Sequence, residues 1–125
     1  MINEKLFYVY ILECENGNYY TGYTDDIIRR FNAHKTGAKT GAKFTKSFKP
    51  SRIAAAWKIS GGKGPAMKVE HFIKKQRRAI KQNFIDNPQT LKDEFLKKQK
   101  NVSQIDIAAL LQTEMIKPET AAVKD

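Results

Sequence analysis

Two runs of strand-forming residues lie on either side of a turn signal near the N-terminus. Leu6 to Glu13 (LFYVYILE) and Tyr19 to Thr24 (YYTGYT) are rich in aromatic and β-branched side chains, and the stretch between them contains Asn16-Gly17. Such a pair reads as a β-hairpin. All five tyrosines of the chain fall inside it, two on the first run and three on the second. Any fold open to this chain has to accommodate that hairpin and give the phenols a place.

The next signals are helical. Asp25 and Asp26 offer N-cap chemistry to IIRRFNAHKTG, with Gly37 as the stop, so a helix is expected over about 26–36. Ile27, Arg30, Phe31 and His34 recur at three- and four-residue steps and share one of its faces. The segment GAKTGAKFTKSFKPSR mixes Gly with Lys and reads as a basic loop, with one helical turn near Phe44 to Ser47. Ile53 to Ile59 has the look of a third strand, although its three alanines are poor strand formers. Pro65 suits the first position of a helix carrying an apolar stripe of Ala66, Val69, Phe72, Ile73, Ile80 and Phe84, read as one continuous element to Phe84. Glu70 falls at the edge of that stripe. Beyond Asn87-Pro88, QTLKDEFLKKQK and SQIDIAALLQTEM read as two more helices, the second opened by Ser103-x-x-Asp106.

At 125 residues with 41% hydrophobic and 29% charged side chains, the chain fits one modest globular domain with a short appendage. Its longest apolar run, Leu6 to Leu12, is far short of the roughly 20 residues that span a bilayer, and the N-terminus has no signal-peptide pattern. No membrane association and a cytoplasmic location are the expectation. Cys14 is the single cysteine, which rules out an internal disulfide or a cysteine-built zinc site and leaves it as a small buried hydrophobe. Charge is unevenly spread. Residues 1–100 carry 21 basic and 9 acidic side chains, net +12, whereas residues 101–125 carry 2 and 4, net −2. From Ile27 to Ile85 there are 16 basic residues and one carboxylate, Glu70. Such a field attracts polyanions, nucleic acid first among them, while a merely solubilising surface is the plain alternative.

Tyr8-Val9-Tyr10, a step of ten residues to Tyr20, and then Tyr20-Thr21-Gly22 resemble the paired motif of the GIY-YIG nuclease superfamily. The resemblance continues through Arg30 and His34 on the first helix to Glu70 on the later one, covers roughly Leu6 to Gln82, and is nearest to the small stand-alone bacterial members. Tyr8 stands where the motif has its first glycine and Thr21 where it has isoleucine. Tyr23 follows Gly22 where some members place a lysine. The resemblance implies an α/β fold with a small three-stranded, mainly antiparallel sheet flanked by helices over residues 1–85, here followed by a helical C-terminal extension over 86–125. It also implies metal-dependent endonucleolytic cleavage of DNA, structure-selective and tied to repair or recombination, with RNA still open as a substrate.

These residue types suit that chemistry. Phosphodiester hydrolysis needs an activated water, positive charge on the non-bridging oxygens and help for the leaving oxygen. Arg30 can grip a phosphate with two hydrogen bonds. A solitary Glu70 suits Mg²⁺ or Mn²⁺ (magnesium or manganese), because Mg²⁺ takes one or two carboxylates and completes its shell with water and phosphate oxygens. Free tyrosine, with a pKa of about 10, is a poor base at neutral pH, but surrounding cations favour the phenolate. By the resemblance, Tyr20 assists water activation, Tyr10 orients the water or the phosphate, and His34 positions water or transfers a proton. Lys35, Lys39, Lys43, Lys46, Lys74 and Arg77, with Lys63, Lys75, Arg78 and Lys81, would hold the phosphate backbone without reading sequence. Each residue also has a plainer reading: cross-strand aromatic pairs, a solvated Arg30, a structural His34, and a Glu70 paired with Lys74 four residues on.

The hairpin must meet one geometric condition. A two-residue Asn16-Gly17 turn would pair Glu15 with Asn18 and send Tyr10 and Tyr20 to opposite faces. A three-residue loop of Glu15, Asn16 and Gly17, with Gly17 left-handed, pairs Cys14 with Asn18 and makes the tyrosines co-facial. The second register is the expected one. Two rivals to the nuclease reading stay open: a non-catalytic nucleic-acid-binding module on the same fold, and an acidic tail acting as clamp or oligomerisation element. A tail that merely packs on the domain should be dispensable after Pro88.

Overall fold

The computed structural model describes residues 6–36, 49–98 and 105–110. Its hairpin joins β1 (Phe7–Cys14) to β2 (Tyr19–Thr24) through the three-residue loop. The Gly17 N–H donates to the Cys14 carbonyl at 2.8 Å, the Cys14 N–H donates to the Asn18 carbonyl at 2.9 Å, and Gly17 has φ 84°. Only glycine adopts that value without strain. The resulting register opposes Tyr10 to Gly22 and Leu12 to Tyr20, so Tyr10 and Tyr20 share a face as expected.

Thr24 and Asp26 turn the chain into α1 (Ile27–Thr36): the Asp26 N–H donates to Thr24 Oγ1 at 3.1 Å, and Asp26 Oδ1 accepts the Arg29 N–H at 3.1 Å. That second bond satisfies a helix-start donor that would otherwise lack a partner. β3 (Pro50–Ile59) begins three residues before the expected strand and pairs with β1 along its length, with irregularities between Ile11 and Leu12 and between Glu13 and Cys14. Its alanines, unfavourable by propensity, are all buried because β3 is an inner strand with helices close above it. The expected turn near Phe44 to Ser47 lies outside the described residues.

Three expectations are corrected. The helix read as continuous to Phe84 is two, α2 (Lys63–Lys74) and α3 (Arg78–Asp86), and the first starts two residues before Pro65. Neither Gly nor Pro marks the break. Instead the Gln76 side-chain amide donates to the Phe72 carbonyl at 2.9 Å and Arg77 adopts extended backbone, which folds Phe84 back to within 6.3 Å of Phe72. Second, the extension is not wholly helical. After α4 (Thr90–Lys98), the segment expected to form the last helix supplies β4 (Ile107–Ala109), antiparallel to β3. The alternation of buried Ile105 and Ile107 with exposed Asp106 and Ala108 has strand period, and the open edge of β3 offers it partners. Third, the sheet therefore has four strands, in order β2-β1-β3-β4.

The two faces of the sheet bury different sets. Val9, Ile11, Ala55, Trp57 and Ile59 pack with Val69 and Ile73 of α2, Phe84 of α3, Leu91 and Phe95 of α4, and Ile107. On the other face Tyr10, Leu12, Ile53 and Ala56 pack with Ile27 of α1. The Trp57 indole N–H donates to the Pro88 carbonyl at 2.8 Å and ties the α3–α4 link to the sheet.

Candidate active site

Tyr10 comes from β1, Tyr20 and Gly22 from β2, Arg30 from α1, and Lys63 and Glu70 from α2; all of them line one cleft of about 600 Å³. The rings of Tyr10 and Tyr20 lie 6.5 Å apart. His34 is enclosed behind both, 6.0 Å from the Tyr10 ring and 5.1 Å from that of Tyr20, with no exposed surface. Gly22 is required by proximity: a Cβ added there would sit 2.5 Å from Tyr10 Oη and 2.8 Å from Cζ. The phenol thus occupies the space that any other residue would fill.

Burial sets the electrostatics. It pushes the Tyr10 phenol up to about 12, with the charges of Tyr20 and Glu70 adding to the rise and hydrogen bonding to Arg30 opposing it. Tyr10 therefore stays a protonated phenol, as its expected orienting role allows, because desolvation of a buried oxyanion costs more than the nearby cations return. Burial, then the charge of Arg30, brings His34 down to about 4, so the imidazole is neutral at pH 7. Tyr10 Oη and His34 Nε2 are 3.0 Å apart. Arg30 has only donors to give, so the phenol oxygen accepts from it while also sharing a hydrogen bond with His34.

Glu70 is 8% exposed and its Oε2 lies 3.2 Å from Lys74 Nζ, so the plain i,i+4 pairing and the cleft position coexist. Among the expected backbone-binding cations, Arg77 is exposed at the α2–α3 break, and Lys35 lies in α1. Lys39, Lys43, Lys46 and the Lys35 side chain fall outside the described residues. Arg78 is committed elsewhere: it donates to the Gly17 carbonyl at 2.9 Å and stacks over the Tyr19 ring at 4.1 Å. Lys81 is partly buried, which lowers its pKa. Asp25 and Arg29, which sequence reasoning left out of the site, also line the cleft and pair with each other at 3.2 Å. Their only signal was position, since the turn from β2 into α1 must pass the cleft mouth, and Asp25 could equally have been a cap.

Residues 6–83 match the family model described as the GIY-YIG catalytic domain. The chain belongs to the GIY-YIG family. The resemblance read from the tyrosines, Arg30, His34 and Glu70 is therefore membership, in a family of nucleases that act on nucleic acids. Similar proteins include the UPF0213 protein BH0048 of Halalkalibacterium halodurans, 42% identical over 78 residues, which is 62% of this chain and 80% of that one. A UPF0213 protein of Fusobacterium nucleatum is 36% identical over 101 residues, covering 81% of this chain and 94% of the relative. The solution NMR structure of the UPF0213 protein BH0048 from Bacillus halodurans aligns with a TM-score of 0.41 at 36% identity, over 78% of this chain and 99% of that one. The GIY-YIG match ends inside α3, so α4 and β4 lie beyond it. No helix among the described residues is long and apolar enough to cross a membrane.

Proposed function

We propose that this GIY-YIG protein is a metal-dependent endonuclease that hydrolyses phosphodiester bonds in DNA. The observation that carries the reading is convergence: two phenols, the Arg30 guanidinium, Lys63 and the Glu70 carboxylate, from four separate elements, line a single cleft. Arg30 and Lys63 would bind the scissile phosphate and offset the charge that grows on its oxygens. Tyr20 would orient the attacking water. Tyr10, kept protonated by burial and fixed by His34 and Arg30, acts as a hydrogen-bonding phenol and not as a base. His34 does not line the cleft, so its part is to position Tyr10.

Glu70 is the residue that would hold Mg²⁺ or Mn²⁺. Its nearly buried carboxylate opens on a cleft roomy enough for water and phosphate oxygens to complete an octahedral shell, and a lone carboxylate is a donor set such ions accept. When bound, the ion supplies Lewis acidity at the phosphate. The whole cleft wall comes from residues 7–70, so catalysis is assigned to residues 1–85 and support of the fold to residues 86–125. Structure-selective action in repair or recombination, in the cytoplasm, completes the proposal on the strength of the family resemblance.

The Glu70–Lys74 ion pair favours one alternative, a module that binds nucleic acid without cutting it, because it occupies the only carboxylate on α2 that faces the cleft. A nicking assay on plasmid, branched DNA and RNA with Mg²⁺ or Mn²⁺ separates the two. Wild type should nick DNA only with the metal, and Glu70→Ala and Tyr20→Phe should lower the rate by about 10²-fold or more, the loss expected when a group stabilising the transition state is removed. Tight DNA binding with no metal-dependent nicking would establish the binding module instead.

A further inference from the structure

A second concave surface lies on the outer flank of α2, facing α4. It is a depression of about 550 Å³ lined by Met67, Lys68, His71, Phe72, Lys75 and Lys98. Among the described residues no carboxylate lines it. Lys68, Lys75 and Lys98 form no ion pair with a described residue, whereas Lys97, beside Lys98, is held by Glu94 at 3.7 Å. Met67 is 39% exposed, a large apolar side chain standing among these cations.

Helical geometry joins this groove to the cleft. At about 100° per residue, Lys63 and Lys74 lie about 20° and 40° round the α2 axis from Glu70, Met67 and His71 about 60° and 100°, and Lys75 and Lys68 about 140° and 160°, all in the same sense. The exposed side of α2 is therefore one band, basic at both edges and apolar to aromatic in the middle. It begins at the cleft wall and ends where Lys98 of α4 meets Lys68 and Lys75.

We infer that this band is a track for a single-stranded nucleic-acid arm leaving the cleft. Lys75, Lys68 and Lys98 hold its phosphates, and unpaired bases lie against Met67 and His71. A duplex offers such a surface only its charged backbone, which leaves the apolar middle unused; a splayed strand offers base faces between its phosphates, the combination that single-strand sites accommodate. The inference rests on the reading of the cleft as a nucleic-acid site and adds a preference for branched or flapped substrates. Lys68 and Lys75 lie inside the GIY-YIG match and Lys98 beyond it, so the track spans the catalytic domain and the extension.

The test is fluorescence anisotropy in EDTA on a short linear duplex and on the same duplex bearing a single-stranded flap. Wild type should bind the flapped DNA more tightly. The triple variant Lys68→Glu, Lys75→Glu, Lys98→Glu should lower the flap-to-duplex affinity ratio about tenfold, and the salt slope for the flapped DNA should fall by about 2, as expected for three lost phosphate contacts to a single strand. The corresponding triple arginine variant should keep the ratio. An unchanged ratio overturns the proposal and leaves an acidic protein or solvent as what the groove faces; equal losses on both DNAs also overturn it, as does a wild type with no flap preference. Because the readout is binding without metal, a protein that never cleaves still answers the question, so failure of the nuclease reading and failure of the track are separate results.

Discussion

Burying a neutral imidazole against Tyr10 links the stability of this fold to pH. His34 binds a proton near 6.5 when exposed but only near 4 in the folded protein. Between those values the unfolded chain holds more protons than the native one, so stability rises with pH across the window. The contribution is fully present above 6.5 and lost as pH falls toward 4, to the extent of about 3 kcal/mol. Urea unfolding of wild type and His34→Gln at intervals from pH 7 to pH 4 checks this, since glutamine can still hydrogen-bond with Tyr10 but does not titrate. The wild type should lose stability more steeply than the variant; parallel curves would refute the assignment. At this scale the identities of the cleft residues were legible, because Tyr10, Tyr20, Gly22, Arg30 and Glu70 form an ordered set of chemically distinct types. Their depth was not. Helical spacing puts His34 on the face of Arg30 without revealing that the tyrosines cover it, and residue order does not show that Tyr10 is buried deeply enough to hold its proton.

Elements were readable where the determinants are local. Gly17 at the end of a three-residue loop fixes the hairpin register, and Asp26 starts α1, so both were visible in short strings. The break between α2 and α3 was not, because no breaker residue causes it; it follows from what α3 must reach. Arg78 at the start of α3 clamps the hairpin through the Gly17 carbonyl and the Tyr19 ring, and the Tyr19 hydroxyl donates to Gln82 one turn further on. α3 thereby holds the strand that carries Tyr20. Since Arg78 is exposed, Arg78→Ala should cost only about 1–2 kcal/mol, a charge-assisted hydrogen bond plus an exposed cation–π contact. Its local effect should be larger: hydrogen exchange of the amides from Glu15 to Tyr20 should accelerate while those of β3 stay protected. Unaltered exchange at the hairpin would show that α3 does not brace it. β4 escaped for a related reason. Ile105 to Leu110 satisfies helical and strand periods alike, and only the free edge of β3, formed by residues fifty positions earlier, decides between them.

On the scale of the whole molecule, the described residues beyond Pro88 contribute to the core. Leu91, Phe95, Ile105 and Ile107 belong to the same buried cluster as Val9, Trp57 and Val69, and the carbonyl of Pro88 is the partner of the Trp57 indole. Fully burying a side chain of this kind stabilises by about 1.5–3 kcal/mol, so four of them supply about 6–12 kcal/mol. A domain of this size has a total of only about 5–15 kcal/mol. Cutting the chain after Pro88 should therefore abolish cooperative folding, contrary to the expectation that the tail is dispensable. Phe95→Ala, which opens a cavity beside Phe72, should cost about 3–5 kcal/mol and yet leave a folded protein. Trp57, the only tryptophan and fully buried, reports both through its fluorescence. The truncated chain should emit as solvent-exposed indole with no sigmoidal urea transition, whereas Phe95→Ala should keep a native spectrum and unfold at lower urea. A truncated chain that melts cooperatively near the full-length midpoint would mean that the sheet closes its core without α4 and β4. In that case any loss of cleavage on truncation would have to come from the nucleic-acid surface carried by Lys98 and not from the fold.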